Sequence, residues 1–531
     1  MAATGTVDVA TLRGWLGDGG EIAFLDVREE GPHCGGHPLL SVNLPYSRLE
    51  LDIGRLVPRR SCRVVLVDGG DGVAERAARR LAALGYDAVH RLAGGVTAWE
   101  AAGHPLFPSS NVPSKAFAEV IEHDSATPHI TAAELDRLRR EGVKHAVLDS
   151  RTVDEFNRFH VPGAVTCPGA ELVLRFADLV PDPDTLVVVS CAGRTRSIIG
   201  AQSLINSGVP NRVVSLQGGT QGWTLAGLKL ERDTAAALAP VSAAATAAAA
   251  PRTAAVAARF GVEHIGRATL ATWRAEAATR TIFLLDVRTP QEFAAGHLPG
   301  SVSTPGGQLV QAIDRWVGTR GARLVLVDDS GTRAVMSAHW LKQMGWDVAV
   351  LENGLAGAAL ETGGGMGPTP ASPAVAAIAP AAAKQALDQG AAAIVLGSSA
   401  AYRRAHPAGA VWAIRPRLDR LPRSVLSAPR ILVFAEDLAV AKLACADLAE
   451  FSSAPVATVE GGVAAWQTAG LPLVASPADP PDSERIDFIF WNHDRHEGNH
   501  DSMRAYLQWE LDLPDEIARD GQAGFRIPAH R

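Results

Sequence analysis

Short apolar runs alternate with amphipathic stretches along most of the 531-residue chain. Four runs rich in Val, Ile and Leu stand at comparable points, at residues 64–67, 186–189, 324–327 and 431–434. Each is followed by a helical pattern, and the predicted helices are 74–83, 197–207, 332–344 and 439–451. Buried strands that alternate with helices form a parallel sheet covered on both faces, so the pattern predicts an α/β fold.

The strands carry recurring phrases. An Asp-x-Arg phrase and a His-x-Pro-Gly turn occur together in two stretches, at Asp149, Arg151, His160, Asp286, Arg288 and His297. The first stretch has only the Asp-x-Arg motif, and the fourth has an altered version of the turn that begins at His406. Three stretches close on Gly-Gly-x-x-x-Trp, ending at Trp99, Trp223 and Trp466, and the third has Asn353-Gly354 there. Self-similarity of this kind indicates four copies of one unit.

The copies set the predicted domain boundaries. We place four domains at 1–107, 128–232, 263–361 and 374–475, followed by a C-terminal tail at 481–531 that includes a helix ending near Leu511. The Ala-rich stretch 233–262 is broken by Pro240 and Pro251, and alanine adds too little transfer energy for a membrane span. It is interpreted as a linker, and its position suggests two tandem pairs of domains.

Composition narrows the function. With 47% hydrophobic and 20% charged residues the chain is typical of a soluble globular protein. Its net charge of −7 and the absence of a basic domain argue against nucleic acid as the main partner. Five widely spaced cysteines give neither a disulfide framework nor a zinc motif. The N-terminus shows no secretory signal, so we expect a cytoplasmic location with reduced thiols and no membrane partner.

One segment carries the candidate chemistry. The run 186–190 ends at Cys191, and a short polar loop leads directly into a helix. Loop N–H groups and a helix N-terminus favour an anion, and Arg194 and Arg196 add positive charge. The thiol of Cys191 is therefore predicted to have a pKa below the free value of about 8.5 and to act as a nucleophile.

Taken together, these motifs resemble the rhodanese family. The resemblance rests on Asp-x-Arg, the His-x-Pro-Gly-Ala turn, the cysteine loop and the Gly-Gly-x-x-x-Trp close, and it covers about 80% of the chain as four copies. It implies four rhodanese-like domains and a ping-pong sulfur transfer. In that reaction the cysteine takes a sulfane sulfur from thiosulfate or a similar anionic donor and passes it to cyanide or a thiol. It implies no cofactor and no metal.

The resemblance also assigns the residues. Cys191 matches the persulfide-forming cysteine, and the substrate-binding loop and helix entrance correspond to Ala192, Gly193, Arg194, Thr195, Arg196 and Ser197. Asp149 and Arg151 match a buried pair that supports the loop from below. Cys167 is expected to be a packed cysteine in a turn.

The other copies lack the nucleophile. When the copies are aligned, the positions of Ser190-Cys191 are occupied by Asp68-Gly69, Asp328-Asp329 and Ala435-Glu436. None of these residues can form a persulfide. Domains one, three and four are therefore predicted to be non-catalytic.

Two other functions stay open. Three domains without a nucleophile suit a binding scaffold, in which Cys191 carries a persulfide for a protein partner in sulfur metabolism. A phosphatase of the same fold is the second alternative, but four residues separate Cys191 from Arg196 where such phosphatases have five. A tighter loop favours sulfur over a phosphoryl group.

The C-terminal tail contains His493, His496 and His500 at a spacing that one helix face could offer to a metal. Gly498 interrupts that helix, so the histidines are interpreted as solvated. The tail's aromatic side chains are predicted to dock it onto a domain; they are Phe488, Phe490, Trp491, Tyr506 and Trp509.

Overall fold

The computed structural model describes residues 5–364, 374–490, 495 and 498–528. In this part of the chain four five-stranded parallel sheets follow one another, and helices flank each of them. The expected α/β class with repeated domains and a C-terminal helix is confirmed. Each sheet lies inside one of the four predicted stretches, while the exact domain limits stay predictions.

The first domain has the strand order β1-β5-β4-β2-β3. Its strands are β1 Gly5–Val7, β2 Ile22–Asp26, β3 Val42–Asn43, β4 Arg63–Val67 and β5 Val89–Leu92. Its helices are α1 Val9–Gly17, α2 Glu30–Gly35, α3 Leu49–Leu56, α4 Val73–Ala83 and α5 Gly95–Ala101, and α6 Val112–Asp124 leads to the next domain.

The second domain repeats the order as β6-β11-β10-β7-β9, and β8 pairs with β12 in a separate antiparallel ribbon. The strands are β6 His129–Ile130, β7 His145–Asp149, β8 Phe159–His160, β9 Val165–Thr166, β10 Leu186–Ser190, β11 Val213–Leu216 and β12 Glu231–Arg232. The helices are α7 Ala132–Arg140, α8 Val153–Arg158, α9 Leu172–Leu179, α10 Thr195–Asn206 and α11 Gly219–Leu225.

Much of the predicted linker is a helix, α12 Ala243–Phe260, which begins at the capping residue Ser242. It lies against α9, and its buried face consists of Ala245, Ala249, Thr253, Val256 and Ala257. Small residues along one face let the helix approach its neighbours closely. The many alanines of this segment therefore belong to a packed helix and not to a flexible linker. The segment connects the second and third domains as a packed element.

The third domain has the order β13-β17-β16-β14-β15. Its strands are β13 Glu263–Ile265, β14 Ile282–Asp286, β15 Val302–Ser303, β16 Arg323–Val327 and β17 Asp347–Leu351. Its helices are α13 Arg267–Ala275, α14 Pro290–Ala295, α15 Gly306–Gln311 and α16 Thr332–Gln343.

The fourth domain has the order β18-β23-β22-β19-β21, with β20 and β24 in an antiparallel ribbon. The strands are β18 Ala376–Ile378, β19 Ala392–Leu396, β20 His406–Pro407, β21 Val411–Ala413, β22 Ile431–Ala435, β23 Val456–Val459 and β24 Leu473–Val474. The helices are α17 Pro380–Asp388, α18 Ser399–Arg404, α19 Arg423–Leu426, α20 Leu438–Leu448 and α21 Gly462–Thr468, and the tail adds α22 His500–Asp520.

The interfaces do not follow the expected tandem pairs. One continuous apolar cluster joins the second domain, α12 and the third domain, and includes Phe117, Leu172, Val256, Leu309 and Trp340. The first and fourth domains meet instead through buried ions, because the guanidinium of Arg415 binds both Glu50 and Asp447. Residues distant in sequence therefore form the interfaces, and the linker's position did not reveal them.

We predict that Arg415→Ala loosens the contact between the first and fourth domains. The change removes the cation that the buried carboxylates of Glu50 and Asp447 share. Because Arg80 still pairs with both, we expect a cost of about 3 kcal/mol, the low end for a broken buried ion pair. Hydrogen–deuterium exchange should become faster in α3 and α20. Arg423→Ala removes an exposed arginine of the same domain and serves as the control. Equal exchange in the two variants would contradict the assigned interface.

Candidate active site

Cys191 directly follows the central strand β10, and the loop after it enters α10 at Thr195. Ser190 is in register with Asp149 on the neighbouring strand β7, so the carboxyl ends of both strands meet below the loop. Ligands of open α/β sheets bind at this edge. The cysteine is only 2% exposed, and the site is therefore covered.

Ser197 is the nearest hydrogen-bonding partner of the thiol. The Cys191 Sγ lies 3.4 Å from Ser197 Oγ, which in turn donates to the carbonyl oxygen of Arg194 at 2.8 Å. The backbone N–H of Ser197 also favours the thiolate. This part of the predicted loop lies at the sulfur.

The pKa of the Cys191 thiol is raised, contrary to the expected lowering. Burial is the largest cause, and the carboxylate of Glu510 adds to it, while Arg196 and Ser197 oppose it. Removing water penalises the charged form of a thiol, and here that penalty outweighs the cation and the hydrogen bonds. The sequence argument included the loop and its arginines but not the cover above them.

Arg196 lies against Glu155 at the start of α8. Its two terminal nitrogens donate to the two carboxylate oxygens, each at 2.7 Å. Burial alone would raise the pKa of Glu155, but Arg196 and the N-terminal capping bonds with Thr152 lower it to about 2. The guanidinium is thereby fixed beside Cys191, where it opposes the effect of burial on the thiol.

Arg194 has different partners. Its buried guanidinium donates to Glu119 on α6 at 2.8 and 2.7 Å, and also to Glu122. Burial raises the pKa of Glu119 to about 7 although Arg194 opposes the shift. A contact between Arg194 and substrate stays a prediction, and Glu119 and Glu122 already occupy its Nε and Nη2.

Asp149 and Arg151 form a buried pair below the loop. Arg151 donates from Nε to Asp149 Oδ1 at 2.9 Å and from Nη2 to Oδ2 at 2.7 Å. The backbone N–H of Cys167 donates to the carbonyl oxygen of Asp149. Cys167 is fully buried, and burial raises the pKa of its thiol.

The closing Gly-Gly turn packs directly against the loop. The carbonyl oxygen of Ala192 accepts hydrogen bonds from the backbone and the side chain of Gln221. Gly219 has a φ of +51°, and a Cβ there would overlap the carbonyl oxygen of Cys191. Only glycine permits this approach, which explains why the turn recurs with the loop.

Two residues of α22 lie at the site without having been predicted there: Tyr506, which was expected only to dock the tail, and Glu510. Glu510 Oε1 accepts a hydrogen bond from the Tyr506 hydroxyl at 2.6 Å and from Thr195 Oγ1 at 3.3 Å. A Cβ built on Gly193 would lie 3.1 Å from Glu510 Oε2. The predicted docking of the tail by its aromatic residues was the available signal, although Trp491 lies outside the described residues.

The other copies show what stands in place of the cysteine. In each, the second glycine position of the closing turn contacts the carbonyl oxygen of one loop residue, which is Asp68, Asp328 or Ala435. These three residues therefore correspond to Cys191. In the alignment by sequence the next residue of each copy stood opposite the cysteine, so that alignment was off by one position. The carboxylate of Asp68 accepts from Gly70 and Ala74 N–H groups, and that of Asp328 accepts from Arg333 N–H. In these two copies a carboxylate of the chain itself takes the loop's donors.

The described residues also bear on the expected metal and membrane contacts. Within the described residues no three His, Cys, Asp or Glu side chains form a metal-binding group. His493 and His496 lie outside the described residues, and His500 is exposed at the start of α22. Among the helices that the structure describes, none has the length and apolar character needed to cross a membrane.

Comparison with known proteins decides the family. The rhodanese-like domain matches residues 8–102, 131–226 and 269–360. The chain belongs to the rhodanese-like family. A crystal structure of a thiosulfate sulfurtransferase from Pseudomonas aeruginosa is 45% identical, covers 98% of this chain and 99% of its own, and superposes with a TM-score of 0.93. Because the similarity extends over nearly the whole length of both chains, it supports the assignment of this chain to the sulfurtransferase class of enzymes.

A second relative covers one part of the rhodanese-like chain. An HTH-type transcriptional regulator of Mycobacterium tuberculosis is 36% identical over 102 residues, or 19% of this chain. The chain spans 44% of that regulator's length.

We predict that Arg196→Gln raises the pKa of Cys191 further, because it removes the cation that opposes burial. Alkylation of Cys191 by iodoacetamide at neutral pH should slow by about tenfold for each unit of pKa increase. Arg196→Lys keeps a positive charge and should react faster than the Gln variant. Equal alkylation of both variants would show that Arg196 does not act through its charge.

Proposed function

We propose that this protein moves a sulfane sulfur from thiosulfate or a similar donor to cyanide or a thiol through a persulfide on Cys191. The observation that carries the proposal is the position of Cys191 in a loop between β10 and α10, with Ser197 at its sulfur and Arg196 beside it. The near full-length likeness to a thiosulfate sulfurtransferase supports the choice of donor.

In the first step the Cys191 thiol ionises and its thiolate attacks the outer sulfur of thiosulfate, and the released proton ends on the persulfide, which is then a hydropersulfide. A bond forms between Sγ and that sulfur, the sulfur–sulfur bond of thiosulfate breaks, and sulfite leaves with the electron pair. Covalent catalysis divides the transfer into two easier steps. The N–H groups of the loop and of the first turn of α10 supply donors for the outer sulfur of the persulfide.

The surroundings of Cys191 suit a thiol that is protonated at rest and ionises when it reacts. Burial raises its pKa, so the resting group carries its proton, while Arg196 and Ser197 stabilise the thiolate once it forms. The same groups stabilise Cys191 as the leaving group when the sulfur passes to an acceptor. Neither step requires a cofactor or a metal. A cytoplasmic location, where an unpaired thiol stays reduced, fits this chemistry.

A carrier or binding scaffold is the second candidate. It is favoured by the domains without a nucleophile, in which the carboxylates of Asp68 and Asp328 occupy the loop donors and leave only the domain surface for binding. In this case Cys191 would receive or deliver sulfur only with a protein partner of sulfur metabolism. Phosphatase activity is a weaker alternative because of the short spacing between Cys191 and Arg196.

We predict that incubation with thiosulfate adds the mass of one sulfur atom to the protein and that cyanide removes it as thiocyanate. Cys191→Ala should abolish the gain, and Cys167→Ala, which changes a second buried cysteine, should keep it. Intact-mass spectrometry measures both. A parent protein that gains no sulfur but forms a persulfide with a protein donor would favour the carrier, and hydrolysis of an aryl phosphate would favour the phosphatase.

A further inference from the structure

A carboxylate of the C-terminal helix lies directly over the loop of Cys191. Glu510 is 1% exposed, and its Oε1 is held by Tyr506 and Thr195. Its Oε2 is buried, lies next to Gly193 and has no hydrogen-bond partner among the described residues. A buried carboxylate oxygen without a donor is costly, so its position against the loop calls for a ligand that supplies a proton.

The charged groups around Glu510 leave that oxygen available. On the loop, Arg194 is committed to Glu119 and Glu122. On α6, Lys115 donates to Ser109 Oγ at 2.8 Å and faces the rings of Tyr506 and Trp509. Burial lowers the pKa of Lys115 to about 8, although Glu510 opposes the shift.

Two further groups lie near this carboxylate or near the tyrosine that donates to it. Arg495 stacks its guanidinium on the Tyr506 ring at 3.8 Å and interacts with that tyrosine. Cys191 is the second of these groups, and the negative charge of Glu510 raises the pKa of its thiol. The carboxylate therefore stands between the tail and the reacting sulfur.

We propose that Glu510 is the proton acceptor for the second half of the reaction and that it selects a protonated thiol as the acceptor. This inference rests on the proposed persulfide on Cys191. Glu510 Oε2 lies next to Gly193 in the loop of Cys191, so in this proposal it accepts the hydrogen of a thiol that approaches the outer sulfur from that side. An acceptor without a proton gains nothing from this carboxylate, and its negative charge, like that of the thiosulfate donor in the first step, is repelled by it.

The step balances without an external oxidant or reductant. Glu510 takes the proton of the acceptor thiol, and the acceptor sulfur forms a bond to the outer sulfur of the Cys191 hydropersulfide. The bond between the outer sulfur and Sγ breaks, and its electron pair stays on Cys191 as a thiolate beside Arg196. The acceptor leaves as a hydropersulfide, and the proton on Glu510 passes to the Cys191 thiolate.

The test compares acceptors that do and do not bring a proton. Protein loaded with sulfur from thiosulfate is discharged either by dithiothreitol or by sulfite, and the loss of sulfur is followed by rapid-quench mass spectrometry. Loss of a positioned general base slows a step by about 100-fold or more. Glu510→Gln should therefore slow discharge by dithiothreitol about 100-fold, and discharge by sulfite should stay unchanged or become faster.

Two variants complete the design. Glu510→Asp keeps a carboxylate and should recover part of the thiol rate. Asp515→Asn removes an exposed carboxylate from the same helix and should behave as the parent protein.

Equal slowing of both acceptors in Glu510→Gln would overturn the inference and leave Glu510 with a structural role, and unchanged rates with both would also overturn it. A parent protein that takes up no sulfur would instead refute the proposed small-donor function itself, and the inference with it. Uptake in the parent with unaltered discharge in the variant refutes only the role of Glu510.

Discussion

A thiolate held away from water needs other groups to stabilise its charge, and the region around Cys191 is organised by that need. The sulfur lies at the end of a central strand, Cys191 is 2% exposed, and the tail helix contacts the loop at Gly193 and Thr195. Burial raises its pKa, and Arg196 and Ser197 oppose the shift. Arg196 is effective because Glu155 holds it in one orientation through two parallel hydrogen bonds. The helix α8 that presents Glu155 therefore contributes to the site without touching the sulfur.

Much of this arrangement could be predicted from the sequence because it is local. The strand before Cys191, the helix after it and the Asp149–Arg151 pair all come from short segments with clear patterns. The predicted helices agree with α4, α10, α16 and α20 to within a few residues. Cys191 and Ser197 lie six positions apart, and the strand–loop–helix turn brings them together without help from other domains.

The remainder depends on contacts between distant parts of the chain. Thr195 and Glu510 are separated by 315 positions, and no periodicity along the sequence indicates that they meet. The predicted direction of the Cys191 pKa shift was wrong for this reason. The expectation from arginines and a helix N-terminus left out the burial of the thiol and the charge of Glu510 on α22. The Ala-rich segment was likewise judged by composition, whereas α12 is fixed by its fit against α9 and α16.

In the third domain, which has no nucleophile, the position that corresponds to Arg196 contributes to the contact between domains. Arg333 corresponds to Arg196, since each follows its loop and binds the glutamate of the adjacent capping box, Glu292 or Glu155. In the third domain, however, Arg333 also reaches Glu171 of the second domain. With Asp328 in line with the cysteine, this arginine has no thiolate to stabilise and instead joins two domains. At the position of Arg196 the third domain thus has a buried cation that holds the domain carrying Cys191.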